Sequence, residues 1–133
     1  MPLRLPLLMI LALTGCSHPQ PIGTALRAPN PSGCYAIVFE EPLFQGAGEV
    51  VNGPAQLSTL EHLSQTTERT WHKRIRSLRV GPAAAVTAYA DRAFKGHSQR
   101  FQPATEHPRL TEALSARIQS LDVACVAIPK ERP

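Results

Sequence analysis

The sequence predicts an all-β sandwich built from two related halves. Residues 74–80, RIRSLRV, recur as residues 117–123, RIQSLDV, and the two segments are identical at five of seven positions. Each copy follows an aromatic-x₄-aromatic-x-Gly block, which spans residues 39–46 in the first half and 89–96 in the second. A repeat of this kind indicates one supersecondary unit used twice. Short β-prone segments alternate with Gly and Pro turns, and no long helical period is present.

The bulk composition limits the size of the fold and the class of partner. A chain of 133 residues has room for one domain. Its formal net charge of +4 is mildly basic, whereas nucleic-acid binding needs a focused basic patch with stacking aromatic side chains. One Trp, two Tyr and four Phe do not supply such a platform, so no nucleic-acid partner is expected.

Residues 1–15 have the pattern of a lipoprotein signal peptide. Arg4 precedes a short apolar run, residues 5–13, which is too short to span a bilayer. The sequence LTGC that ends at Cys16 resembles the bacterial lipobox, which predicts cleavage before Cys16 and a lipid, including palmitate, on it. Ser17 favours the outer membrane, because an Asp there usually retains a Gram-negative lipoprotein in the inner membrane. The alternative is an ordinary secretory signal with a chance cysteine.

The lipidated cysteine is followed by a segment that cannot fold alone. Residues 17–33 contain four prolines and two glycines with only scattered apolar residues, so residues 16–33 are predicted to be a lipidated tether. The folded domain is predicted at residues 34–128, with motifs at about 34–80 and 85–128. Residues 129–133 form a short C-terminal tail.

The two remaining cysteines stand near the two ends of this domain. With Cys16 lipidated, Cys34 and Cys125 are an even pair in an oxidising compartment, which favours a disulfide. The alternative is two buried free thiols that behave as small hydrophobic side chains.

The strands follow from β-branched and aromatic runs bounded by turn residues. They are predicted at residues 35–39, 49–52 and 75–80 in the first half and at 85–90, 98–101 and 118–128 in the second. Ser58 and Glu61 have capping-box spacing, and leucines recur every three residues, so one helical turn is expected there. A second helical turn is expected at residues 111–114.

Both halves resemble the Greek-key motif of the βγ-crystallin superfamily. In that motif an aromatic-x₄-aromatic-x-Gly block is followed by a strand of the Ile-x-Ser-aliphatic-x-Val type, and both halves contain this order. Two motifs form one domain in the superfamily, so the resemblance covers about residues 33–128. It implies a double Greek-key β-sandwich in which the motifs exchange one strand and fold as a unit.

The resemblance also implies structural roles within each motif. Each aromatic block would be a folded hairpin, with its glycine in a conformation that a Cβ excludes. The aromatic side chains would pack around the hairpin, and a serine of the following strand would hydrogen-bond its backbone. These residues are Phe39, Phe44, Gly46 and Ser77 in the first motif and Tyr89, Phe94, Gly96 and Ser120 in the second.

Many microbial members of the superfamily bind Ca²⁺ through an Asn/Asp-Asn/Asp-x-x-Ser/Thr-Ser stretch in each motif. In the first motif, His72 and Lys73 stand at the Asn/Asp positions and Arg76 stands at the Ser/Thr position. The second copy, residues 115–120, contains no carboxylate. Because calcium prefers several oxygen ligands, usually including charged ones, we expect no calcium binding at either stretch.

A basic segment supplies the candidate partner-binding residues His72, Lys73, Arg74 and Arg76. Arg74 and Arg76 are two apart on a predicted strand, so they are expected to share a face. The segment suits an acidic partner, which would be an envelope protein, lipid A phosphates or an anionic envelope polymer. The alternative is a solvated face whose charges protect a strand edge from aggregation.

The sequence contains no evident arrangement for catalysis or metal binding. Glu40 and Glu41 are adjacent, so their side chains are expected to diverge as a solvated flank. The histidines lack the i, i+4 spacing of a helical metal site, and neither HExxH nor GxSxG occurs. We therefore expect a non-catalytic protein without a metal or cofactor.

Taken together, these features favour an outer-membrane lipoprotein with a calcium-independent binding or structural domain that faces the periplasm. The alternative is an inhibitor of an envelope protease or lysozyme. Some secreted bacterial proteinase inhibitors share the βγ-crystallin fold, and other envelope lipoproteins inhibit lysozymes. An inhibitor would present residues 56–70 or 102–114 as an exposed loop.

Overall fold

The computed structural model describes residues 27–61, 63 and 70–128, and the regular secondary structure of these residues is β-strand apart from one short 3₁₀ turn. The predicted signal peptide, Cys16, most of the tether and the tail at residues 129–133 lie outside these residues. Within the described part, no helix is long and apolar enough to cross a membrane. The elements are β1 (Tyr35–Phe39), a 3₁₀ turn (Pro42–Phe44), β2 (Gly48–Asn52), β3 (Ala55–Leu57), β4 (Ser77–Val80), β5 (Ala84–Asp91), β6 (Lys95–Phe101), β7 (Glu106–His107) and β8 (Ser120–Cys125).

The strands form two four-stranded antiparallel sheets that share strands between the halves. One sheet has the order β2-β1-β4-β7 and the other has the order β3-β8-β5-β6. Strand β3 comes from the first half but pairs with β8, and β7 comes from the second half but pairs with β4. The predicted all-β double Greek-key sandwich is therefore confirmed, including the exchange of one strand by each motif.

Of the two predicted helical turns, the one near Leu60 does not form, and the one at residues 111–114 is a single hydrogen-bonded turn. Strand β3 already includes Leu57, and the Leu60 carbonyl accepts a hydrogen bond from the Trp71 amide at 3.1 Å. This carbonyl therefore accepts a hydrogen bond from the opposite side of the loop. In an α-helix it would instead accept from the amide four residues further along the chain. Near residue 114, the Ser115 amide donates to the Thr111 carbonyl at 2.8 Å. That single turn stops because Ala116 has a left-handed φ of 56°.

The core lies between the sheets and is apolar. Strand β5 places Val86 and Ala88 in it, and β8 contributes Leu121 and Val123, all fully buried. Loop residues close the core at one end, where the first half supplies Leu60, Trp71 and Ile75 and the second supplies Leu114 and Ile118. The apolar positions of the repeated segments therefore hold the two sheets together.

The short strand β7 carries a partly desolvated histidine. The ring centroid of His107 lies 4.5 Å from that of Phe101, and its Nε2 lies 2.9 Å from the Thr105 hydroxyl. Thr105 donates its own hydroxyl proton to the Gln102 carbonyl, so the histidine is the donor to Thr105. Burial lowers the pKa of His107, because desolvation disfavours the charged ring.

A disulfide joins the beginning of β1 to the end of β8. Cys34 and Cys125 are bonded, with 5.3 Å between their Cα atoms. The preceding chain packs at the same place, since the Asn52 side chain accepts from the Asn30 amide at 2.6 Å and donates to the Ala28 carbonyl at 3.1 Å. We call this region the disulfide end; the first residue of the predicted domain and the last residue of β8 meet there.

Loss of the disulfide is expected to destabilise the domain strongly. The bond closes a loop of 91 residues, and Cys34→Ala with Cys125→Ala should lower the free energy of unfolding by about 4–5 kcal/mol in the chain-entropy model. Urea denaturation of the wild type with and without reductant measures this change. The double variant serves as the control, because reductant should not shift its midpoint. A wild-type midpoint that is insensitive to complete reduction would contradict the expectation.

Candidate functional site at the junction of the two motifs

Two buried serines hold the two hairpins in the same way. Ser77 donates its hydroxyl proton to the Glu41 carbonyl at 2.6 Å and accepts from the Phe44 amide at 3.1 Å. Ser120 repeats both bonds with Asp91 and Phe94 at the same two distances. Both serines are fully buried, so these bonds satisfy polar groups that would otherwise be unpaired.

The hairpins need such support because their backbone is left-handed at two successive residues. Leu43 and Phe44 have φ of 60° and 59°, and the matching residues Ala93 and Phe94 have 56° and 59°. Residues other than glycine rarely adopt this conformation. At Gly96, with φ of 78°, an added Cβ would lie 2.5 Å from a carboxylate oxygen of Asp91.

An aromatic pair packs in each hairpin. The ring centroids of Phe39 and Phe44 are 5.6 Å apart, and those of Tyr89 and Phe94 are also 5.6 Å apart, both edge to face. In the first motif a guanidinium covers the pair, because Arg79 lies 4.2 Å from the centroid of Phe44. Arg79 Nε is 3.5 Å from a Glu106 oxygen, an ion-pair distance without hydrogen-bond geometry.

The two repeated segments meet each other just before β4 and β8. The Lys73 amide donates to the Ile118 carbonyl at 3.1 Å, and the Ala116 amide donates to the Ile75 carbonyl at 2.9 Å. These two bonds bring the backbone around Arg74 close to the backbone around Arg117. Both are exposed. We call this region the junction; it lies at the far end of β1 and β8 from the disulfide.

The first calcium-type stretch is occupied by guanidinium contacts. Arg76, at the Ser/Thr position, donates from Nη1 to the Glu40 carbonyl at 2.8 Å. Arg74 Nη1 lies 3.5 Å from the Glu40 carboxylate. A cation therefore already binds the main-chain and side-chain oxygens of this residue. These residues do not fit a calcium ion.

The second stretch has neutral side chains at its ligand positions. Gln119, at the Ser/Thr position, has its side-chain oxygen 2.6 Å from Nε2 of His72, which comes from the first motif. Ala116, at the second Asn/Asp position, has a φ of 56°, as Lys73 has 57° in the first stretch. Among the residues that the structure describes, no group of three His, Cys, Asp or Glu side chains could hold a metal ion.

The structure changes the predicted partner cluster in two respects. Arg74 and Arg76 precede β4, so they are not on the strand that the sequence predicted. His72 is half-buried, and its side chain is hydrogen-bonded to that of Gln119. It therefore connects the two motifs and is not part of the exposed cluster. Lys73, Arg74 and Arg76 are exposed, and Arg117 joins them from the second motif. The backbone hydrogen bonds between the two repeated segments could not be seen in the sequence, so Arg117 was missed.

Glu40 and Glu41 also differ from the prediction. They do not diverge as a solvated flank, because together with Arg74 and Arg76 they line one cleft of about 250 Å³. Glu40 is mostly buried, with 18% of its side chain exposed, and its carboxylate contacts Arg74. Glu41 is exposed at the rim. The cleft thus presents both signs of charge side by side.

Solved βγ-crystallin domains share this architecture at low sequence identity. A structure from work on the evolution of the eye lens βγ-crystallin domain fold aligns with a TM-score of 0.64 and 22% identity, over 76% of this chain and 95% of that chain. The N-terminal domain of protein S aligns with a TM-score of 0.59 and 23% identity, over 69% and 97%. A βγ-crystallin domain from Flavobacterium johnsoniae gives 0.57 and 18%, over 68% and 93%. No family model and no curated protein matches the chain.

The chain therefore has the βγ-crystallin fold, as its two motifs implied. The identities of 18–23% to these neighbours show the fold alone.

The serine bonds should be necessary for stability. Ser77→Ala and Ser120→Ala each leave a buried amide and a carbonyl without their partner, so each should lower the free energy of unfolding by about 1–3 kcal/mol. Chemical denaturation measures the change. Ser98→Ala on β6 is the matched control, because Ser98 is exposed and should change stability by less than about 0.5 kcal/mol. Equal effects in all three variants would contradict this role.

Calcium is expected to leave the protein unaffected. Titration of metal-free protein with millimolar calcium should give no saturable heat and no rise in melting temperature, because the guanidinium of Arg76 already binds the Glu40 carbonyl. Calorimetry and thermal melts provide the two readouts, with magnesium as the comparison ion. Saturable binding of one or two calcium ions per chain would overturn the expectation.

Proposed function

We propose that the protein is a lipid-anchored, calcium-independent and non-catalytic binding or structural module of the bacterial envelope. Its lipid would sit on Cys16 in the outer membrane, and its domain would face the periplasm. The observation that carries the proposal is that the three cysteines have different roles. Cys34 and Cys125 form a disulfide, which suits an oxidising compartment, and Cys16 alone ends the lipobox.

The fold supports a binding or structural role. Its hairpins and junction are rigidly hydrogen-bonded, and the junction presents charged side chains on that fixed backbone. A surface of this kind is suited to recognition by charge. The described contacts also support independence from calcium, because Arg74 and Arg76 both contact Glu40.

Inhibition of a protease or lysozyme is the alternative, and it has less support. One of the two candidate loops, residues 102–114, is bonded to the sandwich along its length. Its Ala104 amide, Thr105 carbonyl, Pro108 carbonyl and Leu110 amide all bond to residues of the first half or the turn after β4. The other loop, residues 56–70, lies partly outside the described residues. A panel of protease and lysozyme assays tests this alternative, and unaffected rates would reject it.

The anchor is tested by fatty-acid labelling of cells that express the full chain. The wild type should incorporate an alkyne-tagged palmitate and fractionate with the outer membrane, whereas Cys16→Ala should lose the label. Ser17→Asp is the matched sorting variant; it should keep the label and move to the inner membrane. An unlabelled wild type, or a labelled Cys16→Ala variant, would contradict the proposal.

A further inference from the structure

We propose that the junction binds the peptide side chains of the cell wall, on the face of the domain opposite its membrane anchor. The residues concerned are the exposed cations Lys73, Arg74, Arg76 and Arg117, which we call the junction cluster, together with Glu40 and Glu41 in the adjacent cleft. This inference rests on the proposed envelope location and specifies the partner of that module.

The position of the junction determines which structures it can meet. Strand β1 begins beside Cys34 at the disulfide end and finishes at Phe39, whose carbonyl accepts from the Arg76 amide at 2.9 Å. Five strand residues span about 17 Å, so the cluster and the incoming chain lie at opposite ends of the sandwich. Residues 28–30 are bonded to Asn52, which fixes the exit of the tether at the disulfide end.

The tether favours a partner across the periplasm over the anchoring membrane. The ten residues 17–26 could span at most about 35 Å if fully extended. Because the chain enters at the disulfide end, a taut tether would leave the junction as the end of the domain farther from the lipid. The partner is therefore the polymer that lies beyond the membrane surface.

The charges of the junction specify an anionic partner. Lys73 and Arg117 are exposed, and neither makes an ion pair with another residue in the described part of the chain. Arg74 and Arg76 are held beside them by Glu40. The four cations exceed the two carboxylates of the cleft, so the surface attracts carboxylates, which guanidinium groups bind with two parallel hydrogen bonds.

The cleft adds a requirement for an amine. The carboxylate of Glu41 is exposed at its rim, and Glu40 and the two arginines form its walls. A volume of about 250 Å³ accepts a group the size of an amino acid. A purely anionic polymer or a phosphate would supply no cationic group for the exposed carboxylate of Glu41. A peptide end with a carboxylate and a free amine, as in cell-wall side chains, matches both signs.

The experiment is cosedimentation with purified cell-wall sacculi. The protein is the mature chain with Cys16→Ser, exported behind a standard cleavable signal, so binding is measured without a lipid. Protein with the wild-type junction residues should bind the sacculi saturably, and this binding should weaken as the salt concentration rises. Lys73→Glu with Arg117→Glu should weaken it by about tenfold or more. Lys95→Glu with Arg100→Glu on β6 makes the same change in net charge elsewhere and should have a much smaller effect.

Two further measurements separate the partner classes. Acetylating the amines of the sacculi, or changing Glu41→Gln, should weaken binding if the cleft recognises an amine. Vesicles of phosphatidylglycerol without sacculi should bind poorly. The inference would be overturned by any one of four results. These are no binding to sacculi, an equal loss of binding in the two double variants, binding that does not respond to amine acetylation, and tighter binding to the vesicles than to the sacculi. A failure of palmitate labelling would remove the anchor and the argument from its position, whereas the sacculus assay tests recognition by charge on its own, because it does not use the lipid.

Discussion

The fold depends on two serine hydroxyl groups that hold two strained hairpins. Each hydroxyl donates to one hairpin carbonyl and accepts from one hairpin amide, and each is buried where water cannot replace it. Consecutive left-handed residues cost about 1–2 kcal/mol each, so an unsupported hairpin would relax. Because Ser77 and Ser120 begin β4 and β8, the same bonds align these strands with β1 and β5. The hairpin and the sheet register are thus stabilised together.

The repeat explains what the two halves share, and the contacts at the junction explain how they differ. Equivalent backbone hydrogen bonds occur on both sides of the junction, including those of Lys73 with Ile118 and of Ala116 with Ile75. The side chains at the matching positions are not equivalent. Arg76 binds a carbonyl of its own half, whereas Gln119 bonds to His72 of the other half. The ligand positions of the first stretch are therefore cationic and those of the second are neutral, on a common backbone.

The sequence predicted the fold because the repeated segments contain the residues that the hairpins require. It missed β3 and β7 because strands of three and two residues have no readable alternation, and both pair with the other motif. The helical turn near Leu60 was wrong because a tertiary hydrogen bond to Trp71 outweighed local spacing. For the site, the cations of the first segment were visible. Their approach to Arg117, the capture of His72 by Gln119 and the cleft with Glu40 all depend on contacts between distant residues.

The disulfide has a mechanical consequence because of where it lies. A pull on the chain before Cys34 would first meet the hydrogen bonds of Asn52 and would then divide at Cys34, since the bond to Cys125 would pass part of the load into β8 while the remainder followed β1. These strands belong to different sheets, and both connect the disulfide end with the junction. A load applied at Arg117 would therefore reach the incoming chain through β8 and the disulfide, a covalent path that does not depend on the hydrogen-bond ladders.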